Sequence, residues 1–256
     1  MTQEVYLTYF DLLGFKEFIN NNDNGYIEDR MSQIFRDMEL SLTRRKTIFT
    51  NSVPKMAIPD LSSMKVNCIN ISDTVLYWTN DLNPKSLVHL FFVSYCFNQS
   101  FNLYNFPVRG CMTKGLVNHV MGDDKSSNDF LYSVRCLYGK GVVAAHNRAE
   151  SQQWAGTVID KPVMEDLQKY LYEDILNNYT IKYRVPYKFG DTGCDELVFK
   201  LENRVNDQTH LSKLKEHISS VFSRDNKSIE NESVKVKLEN TLKFLDYLLD
   251  ITGKRH

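Results

Sequence analysis

Residues 5–15 read VYLTYFDLLGF. The run Val5–Phe10 is rich in β-branched and aromatic side chains, which suits a buried strand. It stops at a carboxylate, Asp11, and Gly14 closes the turn that follows. Phe15, Phe18 and Ile19 then give a helix one apolar side. After the Asn-rich break at 20–25, Ile27, Met31, Ile34, Phe35, Met38 and Leu42 continue the three-to-four spacing.

A second carboxylate answers the first. Lys65–Ile71 and Val75–Thr79 are strand-like runs separated only by Ser72-Asp73-Thr74, short enough for an antiparallel hairpin with Asp73 at its tip. Adjacent central strands bring Asp11 and Asp73 together. Hard carboxylate oxygens in that position suit Mg²⁺ or Mn²⁺. Leu12-Leu13-Gly14-Phe15 then offers backbone N–H groups at a helix start, where phosphate oxygens bind. Two divalent ions beside a triphosphate are what in-line displacement at phosphorus needs. Taken singly, each aspartate is an ordinary cap or turn residue. The pair carries the reading.

Downstream, residues 50–63 hold Pro54, Pro59 and several serines and read as a loop. Asn83-Pro84 starts a helix, with Asn as cap and Pro in the first turn. Leu87, Leu90, Phe91, Phe97, Phe101 and Tyr104 supply its buried stripe. Val108–Val117 is a strand, and 118–130 reads as a polar excursion. Gly141–Trp154 is helical, Thr157–Ile159 a short strand and Pro162–Leu176 a helix. Ile181–Tyr187 and Glu196–Leu201 are the last strands, before helices at 208–222 and 230–252. Strands interleaved with helices predict an α/β or α+β sandwich with helices on one sheet face. Residues 1–202 form the core domain and 203–256 a helical extension, whose apolar face (Val234, Leu238, Leu242, Leu245, Leu248, Leu249) must bury against the core or a second copy.

The 256 residues include 31 basic and 32 acidic side chains, and 42% are apolar. That mixture excludes a disordered chain. Near-zero net charge argues against a general nucleic-acid binder. The longest apolar stretch, around Leu87–Phe106, is broken by His89, Ser94, Asn98 and other polar residues, so no membrane partner is expected. Residues 1–20 show no signal peptide. Cys68, Cys96, Cys111, Cys136 and Cys194 form an odd set without CxxC spacing, and four lie in apolar runs, so reduced thiols and a cytoplasmic location are expected.

The letters around both aspartates resemble the catalytic domain of class III nucleotidyl cyclases, the adenylate and guanylate cyclase superfamily. The family's Phe-Asp-Ile-x-Gly-Phe is matched by Phe10-Asp11-Leu12-Leu13-Gly14-Phe15. Its hairpin Gly-Asp-x-x-apolar is matched by Ser72-Asp73-Thr74-Val75-Leu76. The strand Arg-x-Gly-(x)n-Gly corresponds to Arg109-Gly110-Cys111-Met112-Thr113-Lys114-Gly115. Val143-Ala144-Ala145-His146-Asn147-Arg148-Ala149-Glu150, then Gly156-Thr157-Val158-Ile159, corresponds to its later helix and strand. These blocks cover roughly residues 5–160, in order.

The resemblance implies a ferredoxin-like sheet and a homodimer with its sites between subunits. It implies attack of a ribose 3′-oxygen on the α-phosphorus of a nucleoside triphosphate, giving a 3′,5′-cyclic nucleotide and pyrophosphate. Asp11, Asp73 and the Leu12 backbone would hold two ions, and Arg148 of the partner copy would stabilise the transition state. Leu12 to Phe15 and Arg109 would bind phosphate, although strand alternation leaves Arg109 and Lys114 equally readable as outward-facing residues.

Two positions depart from the family. The ribose-orienting asparagine falls on Ala144, with Asn147 three residues on. The purine-reading residue, Lys or Glu in purine cyclases, is Ile69, with Lys65, Asn67 and Asn70 nearby. Isoleucine neither donates nor accepts, so purine recognition lacks its partner. Two functions stay open: a divergent cyclase reading UTP or CTP, similar to the bacterial pyrimidine cyclases of antiphage signalling, or an inactive cyclase-like nucleotide-binding or scaffold protein. Met121-Gly122-Asp123-Asp124 reads as a solvated loop, and His119 and His146 lack companions for zinc. Lys188 is a further triphosphate candidate in a glycine-rich turn. Tyr6 and Tyr9 read as sheet packing.

Overall fold

A computed structural model describes residues 3–125, 131–171, 173–190, 192–203 and 205–253. In chain order the elements are β1 (Gln3–Leu12), α1 (Phe15–Asn21), α2 (Asn24–Leu42), β2 (Thr47–Phe49), β3 (Ala57–Pro59), β4 (Asn67–Ile71), β5 (Thr74–Trp78), α3 (Pro84–Tyr104), β6 (Val108–Lys125) and β7 (Leu131–Tyr138). They continue as α4 (Lys140–Ser151), β8 (Thr157–Ile159), α5 (Lys161–Tyr170), α6 (Glu173–Tyr179), β9 (Thr180–Tyr183), β10 (Glu196–Phe199), α7 (Gln208–Ser223) and α8 (Glu232–Gly253).

The main sheet runs β4-β5-β1-β6-β8-β10-β9, with β7 paired to the outer part of β6. Only the β6–β8 pairing is parallel among those described. This is the mixed, mainly antiparallel α+β architecture expected from the sequence. Local chemistry agrees: the Asn83 side chain accepts from Lys85 N–H and Pro84 follows in the first turn of α3. At the β4–β5 turn Ser72 takes φ +56°, the left-handed geometry a tight hairpin needs.

Alternation along β1 divides the core. Tyr6, Phe10 and Leu12 join Phe91, Phe97 and Phe101 of α3, Ile34 and Met38 of α2, and Val163 and Leu167 of α5. Val5, Leu7 and Tyr9 face the other way, onto Leu76, Trp78, Cys111 and the small side chains Ala145 and Ala149 of α4. Helices therefore cover both sheet faces, which corrects the one-face expectation. Close approach explains it: a Cβ on Gly115 of β6 would lie 2.7 Å from the Gly141 Cα of α4.

The terminal helices cover the far half of the sheet. Trp154, Val158 and Val198 pack with Leu211, Leu214 and Ile218 of α7 and with Phe244, Leu245 and Leu248 of α8. Asn240 Nδ2 donates to the Gln153 carbonyl, and Ala155 N–H donates to Thr241 Oγ1, each at 2.8 Å.

Other local expectations need correction. Residues 118–125 are not an excursion but continue β6, paired with β7 from Asn118↔Tyr138 to Lys125↔Leu131, while 126–130 lie outside the described residues. Asp123 there accepts from Ser133 and Arg135 across the ladder, so Met121–Asp124 is an exposed strand rather than a loop. The 50–63 loop includes β3, which pairs with β2. The helix expected over 162–176 is split into α5 and α6, and Cys136 is exposed rather than packed.

Candidate active site

Asp11 is the next-to-last residue of β1, on the α4 side of the sheet, opposite Thr74 of β5 and Arg109 of β6. Leu12 N–H donates to the Asp73 carbonyl at 2.8 Å, so the residue after one carboxylate is hydrogen-bonded to the residue that bears the other. Arg109 is buried. Its Nε donates to Asp11 Oδ2 at 2.7 Å, and its Nη1 donates to the carbonyls of Glu150 (2.8 Å) and Gln152 (3.4 Å). One guanidinium thus fixes the Asp11 carboxylate and the end of α4 together. Arg109 is therefore turned inward, against Asp11 and the end of α4, and not outward to solvent. Lys114, of opposite parity, pairs instead with Asp166 at 3.3 Å, under α5.

Burial, and then the negative charge of Asp11, push the Asp73 carboxyl above its ordinary pKa, with Arg109 pulling the other way. The aspartates therefore feel each other. Beside them Tyr9 OH sits 3.1 Å from Thr74 Oγ1 and 3.0 Å from His146 Nδ1. Burial raises the Tyr9 pKa, and both aspartate charges add to it. His146 Nε2 lies 3.6 Å from Glu150, its i+4 neighbour, but among the described residues no third ligand of the zinc-binding types joins them. Sequence reasoning left Tyr9, Thr74 and His146 out of the site. Period-two alternation puts Tyr9 on the Asp11 face, a signal that was available.

The backbone cradle is smaller than expected. Leu12 N–H is spent on Asp73 and Leu13 N–H on the Pro107 carbonyl (2.8 Å), so neither is free for phosphate. Gly14 takes φ +84° before α1, and Phe15 is buried in the core beneath it. Leu12 has its side chain buried, which leaves only its main-chain carbonyl as a donor to a metal. Ile69 is half-buried on the same face, packed against the Tyr9 cluster, and offers no polar atom. Asn147 stands on the exposed side of α4.

Arg148 is elsewhere. Its guanidinium bonds Glu196, lies 4.0 Å from Asp160 and stacks over Tyr187 with the ring centroid at 4.8 Å. Burial works against its charge, but Tyr187, Glu196 and Asp160 outweigh that and raise its pKa. Within one chain Arg148 is not brought to Asp11 and Asp73.

Divalent cations fit the donor set. Two carboxylates that repel one another, one resisting ionisation through burial, are what a small hard cation relieves. No cluster of three or more His, Cys, Asp or Glu is found among the described residues, so further ligands would come from substrate and water. The competitor is Arg109, already on one Asp11 oxygen.

No family model matches the chain, and no curated protein matches it in sequence. Solved structures do match in shape. The guanylate cyclase domain of RhGC from Catenaria anguillulae, in complex with GTP, superposes with a TM-score of 0.50 at 10% identity, covering 78% of this chain and 98% of that one. The catalytic core of a rhodopsin-guanylyl cyclase with converted specificity, in complex with ATPαS, gives a TM-score of 0.50 at 9% identity over 78% of this chain and 97% of that one. The chain therefore has the fold of class III nucleotide cyclase catalytic domains.

Proposed function

We propose that the protein is a nucleotide cyclase that converts a nucleoside triphosphate into a 3′,5′-cyclic mononucleotide and pyrophosphate. The observation that carries this is the placing of Asp11 and Asp73 side by side at the end of the interior β1–β5 pair of a cyclase-type sheet. Two divalent ions, Mg²⁺ or Mn²⁺, would supply Lewis-acid chemistry there, easing loss of the 3′-hydroxyl proton and offsetting triphosphate charge. The protein's own part is to orient the two carboxylates. Arg109 does this for Asp11 through the Nε bond. The 3′-oxygen forms a bond to the α-phosphorus, the bond from that phosphorus to the bridging oxygen breaks, and pyrophosphate carries away the electron pair.

Further parts of the proposal rest on the sequence resemblance. A homodimer would bring Arg148 of the second copy to the α-phosphoryl group, once released from Glu196. Residues 1–202 would be the catalytic unit and 203–256 its extension. Ile69 in place of a polar purine reader favours UTP or CTP, whose smaller ring leaves that position unneeded. The cyclic product would then serve as a second messenger, in antiviral defence. A cytoplasmic setting fits that role, and no described helix is long and apolar enough to cross a membrane.

A second reading, an inactive cyclase-like nucleotide-binding or scaffold protein, has its own observations: Arg109 occupies Asp11, and Glu196 occupies Arg148. Incubating the protein with Mn²⁺ and each of the four NTPs separates them. Cyclic UMP or cyclic CMP is expected; binding without any cyclic product from the four would leave the scaffold reading.

A further inference from the structure

With the N–H groups of Leu12 and Leu13 spent, a triphosphate at Asp11 and Asp73 needs other positive partners. Three elements converge on the strip from Glu150 to Ala155. Arg109 donates to the carbonyls of Glu150 and Gln152. Lys188 N–H donates to the Ser151 carbonyl (2.8 Å), and its Nζ meets Glu150 at 3.4 Å. The helix α8 is stitched to the same strip through Asn240 and Thr241. One turn earlier on α8 stands Lys237, which with Val234 lines a cavity of about 60 Å³ against Leu13, Gly14 and Pro107.

Lys237 thus stands against the Gly14 turn, one helical turn before the residues that stitch α8 to the strip that Arg109 holds. Its Nζ rests on its own helix, bonded to Ser233 Oγ (2.6 Å) and the Ser233 carbonyl (3.1 Å). Burial, followed by the charges of Arg109 and Lys188, pushes its pKa down, while Asp11 pulls it up. Across the turn the Lys227 stem covers Gly14, where a Cβ would come within 2.8 Å of Lys227 Cδ. The turn is closed on that side by the same C-terminal segment.

We propose that Lys237 of the C-terminal helix binds the polyphosphate tail of the nucleotide, together with Arg109 and Lys188, in the site of its own chain. This rests on the nucleotide-binding reading of Asp11 and Asp73, and it makes α8 part of the site rather than an appendage. Lys237 and Lys227 line that cavity beside Glu17, and Arg109 and Lys188 stand on the neighbouring 150–155 strip; a polyphosphate brings acceptor oxygens to these cations, which stand in for the N–H donors the backbone turn withholds. Lys237 reaches it by exchanging its Ser233 bonds for phosphate oxygens, as a flexible four-carbon stem permits.

The test uses the full chain and isothermal titration with inorganic tripolyphosphate, which reports on tail binding whether or not cyclisation occurs. Lys237→Gln should weaken tripolyphosphate binding by about tenfold, the loss expected for one charge-assisted hydrogen bond. Lys237→Arg should restore it, with thermal unfolding unchanged in both. If Lys237→Gln unfolds early, Lys188→Gln on the exposed loop gives the second readout and should weaken binding similarly. Wild-type affinity in Lys237→Gln, or no tripolyphosphate binding by the wild type, would overturn the assignment. Loss of binding in Lys237→Gln from a protein that forms no cyclic nucleotide would sustain Lys237 and defeat the cyclase reading. The opposite pair of results would do the reverse.

Discussion

Lys227 shows how far a single residue can depart from its surroundings. Its side chain is 2% exposed, with Nζ 3.8 Å from the Phe106 centroid and 3.7 Å from Asp225, which also pairs with Arg30 at 3.1 Å. Burial lowers its pKa from 10.5 to about 7, against the pull of Asp225. Between those values the unfolded chain binds a proton that the folded chain does not, so stability rises with pH through that window and is flat below it. Urea unfolding from pH about 7 to 9.5 should show that rise in the wild type and lose it in Lys227→Met. Parallel pH dependences in the two proteins would contradict the assignment. None of this was legible in the sequence, because the Asp225–Arg30–Lys227 grouping joins positions almost two hundred residues apart.

At the scale of elements, the sequence is informative wherever one face is buried. The strand ending at Asp11, the Asn83 cap and the apolar stripe of α8 all follow from periodicity, and the hairpin at Asp73 follows from its short turn. The outer β6–β7 ladder does not, since Val120, Met121, Leu131 and Tyr132 are exposed and no buried face imposes an alternation. The seat of α4 was hidden for another reason: it depends on backbone contact between Gly115 and Gly141, which leaves no hydrophobic signature. Gly115→Ala would force its Cβ to within 2.7 Å of the Gly141 Cα. That substitution should lower unfolding stability by about 1–3 kcal/mol and loosen the Arg109 anchor on α4. An unchanged denaturant midpoint would show that the helix can shift without cost.

For the whole molecule, the candidate site was half legible. Asp11 and Asp73 were found from their letters, and the fold brings them together through the Leu12–Asp73 hydrogen bond. The pairing of Arg109 with Asp11 was not, because it needs the β1–β6 register, and the Arg148–Glu196 bond needs β10 beside α4. That bond ties Arg148 to β10 of its own chain. If the site is shared between two copies, mixing Asp11→Ala and Arg148→Ala chains should return part of the activity that each lacks alone. No recovery would mean that each chain works, or fails, by itself.

The account depends most on two carboxylates gripping divalent cations in common, and Mn²⁺ binding reads that directly. Titrating Mn²⁺ into the full chain with UTP or CTP present, followed by electron paramagnetic resonance, should give saturable binding in the wild type. Asp73→Asn should abolish it while the protein stays folded, since removing a charge that burial and Asp11 already disfavour relieves the site. Equal Mn²⁺ binding by the wild type and Asp73→Asn would contradict the account.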